Sequence, residues 1–278
     1  MAYAESRAEA EEKRSLFLKW CQKKAYRAAG DLMGFKQRSV LLFAGDPHGD
    51  FGAIERACER FWPEMLVLLG DLMPSVPLDE ALSFAIKERI EVLWIPGNHE
   101  ADDAGIFERT FGSPLAGKNL HASVAEVCGI RIAGLGGKFH KEVWVPPDPP
   151  RFASRGVFLK EAKETLRPLS LVTIFPEDVQ KLSTQRADIF VSHVAPSTHP
   201  HGFFILDDLA LTMGARLIVH AHHHRANYMA GLKNRTLVCG VGSGLALLDL
   251  RKRTLELFSA WDSTKALRVE LGKGSCSR

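Results

Sequence analysis

The sequence predicts an α/β fold whose strands are covered on both faces. Short, continuously apolar runs such as "SVLLFA", "MLVLLG" and "EVLWIPG" recur along the chain. Segments with helical spacing of apolar residues separate them, and most runs stop at Asp, Asn or His. Continuous apolar strands between amphipathic helices indicate a parallel sheet buried on both sides.

The whole-chain properties narrow the class. At 278 residues the chain can bury a substantial core, and 46% hydrophobic with 25% charged residues is ordinary for a globular protein. A net charge of +3 does not by itself indicate nucleic acid, and no basic block stands out. The polar start "MAYAESRAEAEEKR" lacks a signal-peptide core, and no apolar run reaches bilayer-spanning length. Five scattered cysteines without CxxC spacing read as reduced thiols. These features predict a cytoplasmic protein without a membrane segment, folded as one domain over 1–278.

In order along the chain, residues 4–29 have the spacing of a leading helix, through Leu16, Phe17, Trp20 and Cys21. It would pack on the outside of the domain or contact a second copy in a homodimer. Residues 39–45 form the first strand. In the next segment Ile54, Ala57, Cys58 and Phe61 share one helical face. Residues 65–70 form the second strand. Leu82, Ile86 and Ile90, at spacings of four, predict a helix over 79–90, and residues 91–97 form the third strand. Asp46 to Asp71 is 25 residues and Asp71 to Asn98 is 27, close to a βαβ unit. Residues 119–136 read as two strands around a turn at Cys128-Gly129. The proline-rich stretch 137–170 reads as a long loop with a short helix, covering the substrate. Residues 187–193 are a strand. A helix through Leu206, Leu209, Ala210 and Met213 follows, then a strand over 215–222. "RTLVCGVG", "LALLDL" and "TLELFS" read as closing antiparallel strands, and 267–278 as a frayed tail.

The strand ends carry the chemistry. The first ends in Asp46 and His48 and the second in Asp71. The third ends in Asn98, His99 and Glu100. The later ones end in His193 and in the run "HAHHH" over 220–224. In an open α/β sheet such ends converge on one crevice. Taken singly, each fragment suits a turn or a helix cap; five in order at strand ends indicate one site. Oxygen donors from Asp and Asn with imidazole nitrogens suit Mn, Fe, Zn or Ni better than Ca or Mg. Residues two apart in extended chain leave on the same side, as Asp46 and His48 would, and as His222 and His224 would. His220 is in phase with the latter pair, so the spacing leaves a His220/His222 pair open as well.

The ordered set "DPHG", "GD", "GNHE", "SH" and "AHHH" resembles the calcineurin-like metallophosphoesterase superfamily, over about 39–226. The resemblance implies a four-layer αββα sandwich, two mixed sheets flanked by helices, with a dinuclear metal site at the strand carboxyl ends. It implies two divalent transition metals, manganese foremost. One would be held by Asp46, His48 and His224, the other by Asn98, His193 and His222, with Asp71 bridging. Ala221 stands where the family usually has Gly, a small-for-small change that favours the His222/His224 register. His99 would act on the substrate or leaving group, with Glu100 orienting it, while a metal-bridging hydroxide attacks phosphorus directly.

The second fragment continues as "GDLMPSVPLD", without the Asp and Arg of the superfamily's protein phosphatases, which disfavours a phosphoprotein substrate. A small phosphomonoester or phosphodiester is the expected substrate. Loops 101–112, 137–170 and 195–203 would select it, with Lys138, Arg151, Arg155, His199 and His201 as candidate phosphate contacts. The alternatives are a non-catalytic binding scaffold of the same fold, and a nuclease acting on nucleic acid. Retention of every ligand position argues against the first, and the modest charge against the second.

Overall fold

The computed structural model describes residues 40–166, 168–225, 227–232, 235–259 and 262–271, all within one compact unit, Ser39–Arg278. The helix expected over 4–29 lies outside the described residues. The first sheet is built from β1 (Val40–Ala44), β2 (Met65–Leu68), β3 (Glu91–Trp94), β10 (Leu245–Asp249), β11 (Thr254–Ser259) and β12 (Asp262–Glu270), in the order β12-β11-β10-β1-β2-β3. The second contains β4 (Ser123–Val127), β5 (Ile130–Leu135), β6 (Ile189–Ser192), β7 (Leu217–His220), β8 (Tyr228–Gly231) and β9 (Leu237–Gly240), in the order β4-β5-β6-β7-β9-β8. Both sheets are mixed: β1-β2-β3 and β5-β6-β7-β9 are parallel, and the remaining neighbours, β1-β10, β10-β11, β11-β12, β4-β5 and β8-β9, are antiparallel.

Strand alternation explains why the buried runs are continuously apolar. Leu41, Phe43, Met65, Val67 and Leu93 face the other sheet, where they meet Ile132, Ile189, Val191, Leu217 and Val219. The alternate residues Leu42, Leu66, Leu68, Val92 and Trp94 face outward. They are covered by Ile54, Ala57 and Cys58 of α1 (Gly52–Phe61), and by Leu78, Leu82 and Ala85 of two short helices, α2 (Leu78–Ala81) and α3 (Ser83–Lys87). Phe111 of α4 (Ala104–Phe111) packs against the same layer. On the far side, Leu182 of α7 (Pro176–Ser183) and Leu206, Leu209 and Met213 of α8 (Phe204–Met213) cover Phe190 and Ile218. The result is helices, sheet, sheet, helices: four layers.

Several elements differ from the sequence expectation. The helix expected over 79–90 is broken at Leu82 into α2 and α3. The buried positions are Leu78, Leu82 and Ala85, so Ile86 is 44% exposed. β9 is not part of an antiparallel closing set. It lies parallel to β7 in the second sheet, with β8, which the sequence did not suggest, antiparallel beside it. Of the tail expected over 267–278, residues 267–270 belong to β12, where Val269 pairs with Leu255 across β11, and 272–278 lie outside the described residues. Alternation of Leu267, Val269 and Leu271 was the available signal. The turn at Cys128-Gly129 matches its expectation: φ is 54° and 74°, as a two-residue hairpin with the strands' twist requires.

Residues 137–170 are more structured than a loop. Ser154 accepts a hydrogen bond from Val157 N–H and so caps α5 (Arg155–Glu161). Lys138 bridges Thr173, just after α6 (Leu169–Val172). Val143, Phe158 and Phe175 form a small buried cluster of their own. Replacing Phe158 by Ala removes the ring at its centre and should cost about 3 kcal/mol. Amide exchange should accelerate over 137–175 before it does in β1 or β6; equal acceleration everywhere would show that this region has no independent cluster.

Candidate metal centre

The carboxyl ends of β1, β2, β3, β6 and β7 meet between the sheets, and the chain leaves several of them in a left-handed turn. Asp46 (φ 41°), His48 (φ 44°), Asp71 (φ 52°) and His222 (φ 66°) all adopt positive φ. Such backbone costs on the order of 1–3 kcal/mol per non-glycine residue and gathers at functional sites. The extended chain expected between Asp46 and His48, and between His222 and His224, is therefore replaced by tight turns. Close packing also fixes the glycines before Asp71 and Asn98. A Cβ on Gly70 would lie 2.7 Å from His193 Nδ1 and 2.5 Å from the Gly97 Cα. One on Gly97 would strike Asp71 Oδ1 and lie 2.7 Å from His193 Cε1.

Two groups of donor atoms form, each with its atoms within 4.8 Å of one another: His48, Asp71 and His224, and Asp71, His193 and His222. Asp71 belongs to both. Its Oδ1 accepts from the backbone N–H groups of Asn98 (2.8 Å) and His99 (3.0 Å). Its Oδ2 has no hydrogen-bond partner and lies 3.5 Å from His193 Nε2. Asp46 is 2% exposed, and neither of its carboxylate oxygens has a hydrogen-bond partner. Its Oδ2 is 3.7 Å from His224 Nε2.

Hydrogen bonds on the far side of the rings set the tautomers. His193 Nδ1 donates to the Leu69 carbonyl at 2.8 Å, which leaves a lone pair on Nε2. That lone pair faces Asn98 Oδ1 at 3.2 Å and His222 Nδ1 at 3.1 Å. His48 Nδ1 contacts Met73 Sδ at 3.1 Å, and its Nε2 meets His224 Nε2 at 3.0 Å. Burial lowers the pKa of His48 and His193, and pushes His222 down to about 3, so these imidazoles are neutral and able to ligate. Lone pairs converging on carboxylate oxygens that lack partners fit a pair of divalent cations. The mixture of carboxylate, amide oxygen and imidazole suits transition metals.

Without a cation the acids are strained. Burial, then the charge of Asp71, raises Asp46 to about 9. Burial and Asp71 likewise raise Glu100 to about 7. Asp71 itself is lowered: desolvation, the largest single influence, raises it, but the adjoining His193 and His99 rings together with the backbone N–H groups of His99 and Asn98 outweigh it.

His220 belongs to neither group. It ends β7 on the outer face, fully buried, with Nε2 2.9 Å from the Tyr228 hydroxyl. Glu100 does not serve as the hydrogen-bond partner of His99. Its buried carboxylate instead accepts from the backbone N–H groups of Leu72, Gly97 and Asp71, at 2.5, 2.5 and 3.3 Å, tying β2's end to β3's. Asp102 holds His99, Oδ2 to Nδ1 at 2.5 Å, and leaves Nε2 4.0 Å from Asp71 Oδ2. The His-x-x-Asp spacing was the overlooked signal. Desolvation lowers the His99 pKa, but the Asp102 hydrogen bond and surrounding acids leave it raised overall.

Of the expected phosphate contacts, Arg151 pairs with Glu142 at 3.1 Å and Arg155 with Asp178 at 3.0 Å, so both guanidiniums are engaged elsewhere. The charge of Lys138 reaches His222. His199 lines a cavity with His222, His223 and His224, and His201 adjoins it.

Two mixed sheets sandwiched by helices, with a carboxylate–imidazole cluster at their strand ends, define an αββα protein with its site between the sheets. The chain belongs to the calcineurin-like phosphoesterase family, whose model matches residues 39–226. An uncharacterized protein of Haemophilus influenzae is 37% identical over 191 residues, covering 66% of this chain and 83% of that one. The fold is shared with TT1561 of Thermus thermophilus, at TM-score 0.52 and 20% identity, over 78% of this chain and 97% of that one. A looser likeness, TM-score 0.43 and 12% identity, joins 83% of this chain to 98% of a zinc-complexed Vps29 of Entamoeba histolytica. Among the described residues no helix is long and apolar enough to cross a membrane.

Mn²⁺ should raise the melting temperature, and a chelator should lower it, by mass action on the folded state. The gap should widen with pH. In the metal-free fold Asp46 keeps a proton that the unfolded chain loses at 3.8. That stabilisation is complete below 3.8 and disappears as pH rises through about 9. Cation binding displaces the same proton, so binding tightens over that range. Scanning calorimetry from pH 6 to 9 checks this; a gap that narrows would contradict the assignment of Asp46.

Proposed function

We propose that the protein is a dinuclear-metal-dependent hydrolase of small phosphate esters. The observation that carries this reading is the carboxylate of Asp71, common to two donor groups and left with one unpartnered oxygen. Asp46, His48 and His224 would hold one cation, and Asn98, His193 and His222 the other, with Asp71 between them. Manganese is the first choice, with iron, zinc or nickel as alternatives. Bound there, two cations supply Lewis-acid neutralisation of phosphoryl charge and activation of water at neutral pH.

The chain's own residues do the rest. The reaction joins a water oxygen to phosphorus, breaks the ester P–O bond and leaves the departing oxygen in need of a proton. His99 Nε2 faces the cluster beside Asp71 and delivers that proton. Asp102 fixes the His99 ring from behind through Nδ1. Glu100 keeps the strand ends in register through its three backbone contacts. The left-handed turns hold the ligands before any cation arrives, so little is spent on ordering them.

Turnover of p-nitrophenyl phosphate and its bis ester in Mn²⁺ tests the reading and tells mono- from diester preference. Asp71→Asn should lower kcat/KM at least 100-fold on the preferred ester. Metal bound at wild-type level, with no turnover of either ester, would favour the non-catalytic scaffold. Asp102→Asn should slow phenyl phosphate at least tenfold, and p-nitrophenyl phosphate less, because the better leaving group needs its proton less. Equal slowing of both would remove Asp102 from the proton-delivery role.

A further inference from the structure

Beside the proposed ligands lies an open cavity of about 500 Å³, lined by His199, His222, His223, His224 and Arg225. Its size suits a small organic group. His199 and His223 lie nearly parallel within it, with ring centroids 3.7 Å apart and planes at 15°. They come from separate segments, and the segment carrying His199 is firmly built. His199 N–H donates to the Pro196 carbonyl at 3.1 Å, and Gly202 N–H to the His199 carbonyl at 2.9 Å. Ser197 N–H donates to Asp207 Oδ1, and the Thr198 and Tyr228 hydroxyls are 2.9 Å apart. His201 N–H donates to His199 Nδ1 at 3.2 Å, which places the remaining His199 proton on Nε2 as a donor.

We propose that this cavity selects phosphate esters whose alcohol carries a planar ring. The ring packs against the His199–His223 pair, and Arg225 pairs with an anionic oxygen of the ligand. The inference rests on the phosphoesterase reading and narrows its substrate class. A parallel imidazole pair presents flat π surface, on which a further aromatic ring stacks with gain and a saturated ring of equal size does not. The hydrogen-bonded backbone of 196–203 reduces the ordering that the His199 side of this surface needs when the ligand arrives. Arg225 suits an anion because its planar guanidinium presents a fork of N–H donors that matches a pair of phosphoryl oxygens.

The test compares calorimetric binding of phenylphosphonate and cyclohexylphosphonate to the Mn²⁺-loaded protein, which requires no turnover. Wild type should prefer the planar ligand by about three- to tenfold. His199→Ala should bring the ratio near one while metal content is unchanged, and His199→Phe should preserve the preference. Arg225→Ala should weaken both ligands alike. A wild-type ratio near one, or a preference that survives His199→Ala, would overturn the proposal. Adenosine 5′-monophosphate and phenyl phosphate, compared in the same variants, tell a nucleobase from a simple aryl group by which loses more affinity in His199→Ala. Ring-selective binding without hydrolysis would leave the cavity's role standing and remove the enzyme reading. Hydrolysis without ring selectivity would do the reverse.

Discussion

Three carboxylates, Asp46, Asp71 and Glu100, are buried together at the ends of β1, β2 and β3, and the rest of the site is arranged around their neutralisation. Each is handled differently. Glu100 is surrounded by backbone N–H groups and, with a pKa near 7, carries a proton for part of the neutral range. Asp71 satisfies one oxygen with the N–H groups of Asn98 and His99 and leaves the other directed at His193. Asp46 has no hydrogen-bond partner for either oxygen. A buried carboxyl group without a hydrogen-bond partner is costly whether it is charged or holds a proton. Its persistence, ringed by neutral imidazoles with aimed lone pairs, makes physical sense when cations complete the cluster.

The scaffold supplies rigidity for that arrangement. The inner faces of the two sheets pack as one core from Leu41 to Leu257, so the strand ends cannot move independently. His193 spans the gap, its ring donating to Leu69 from the opposite sheet. Gly70 and Gly97 let the backbone approach that ring more closely than any side chain would permit. Strain at Asp46, His48, Asp71 and His222 is tolerated because packing over-determines these turns.

Much of this was legible in the sequence. Apolar runs ending in Asp, Asn and His gave the strands and the ligand candidates, because burial on both faces leaves polar residues only where a strand emerges. What escaped has specific causes. The period of two ends with the strands, where the chain turns left-handed at His222, so spacing alone does not separate His220 from His222 and His224. Adjacency suggests Glu100 as the partner of His99, whereas the turn after β3 brings Asp102 back to the ring and directs Glu100 inward. Ile86 looked like a core residue by its spacing from Leu82, but the break between α2 and α3 buries Ala85 instead. β8 was missed because "YMAG" has no strong pattern of its own and is held by pairing with β9.

The central claim is that the cluster is a two-cation site sharing Asp71. Metal content of the protein after loading with Mn²⁺ and desalting, measured by plasma mass spectrometry, tests it most directly. About two transition-metal ions per chain are expected, with a clear loss in Asp71→Asn, which weakens both sites at once. A single ion per chain, or two that survive that substitution undiminished, would contradict it.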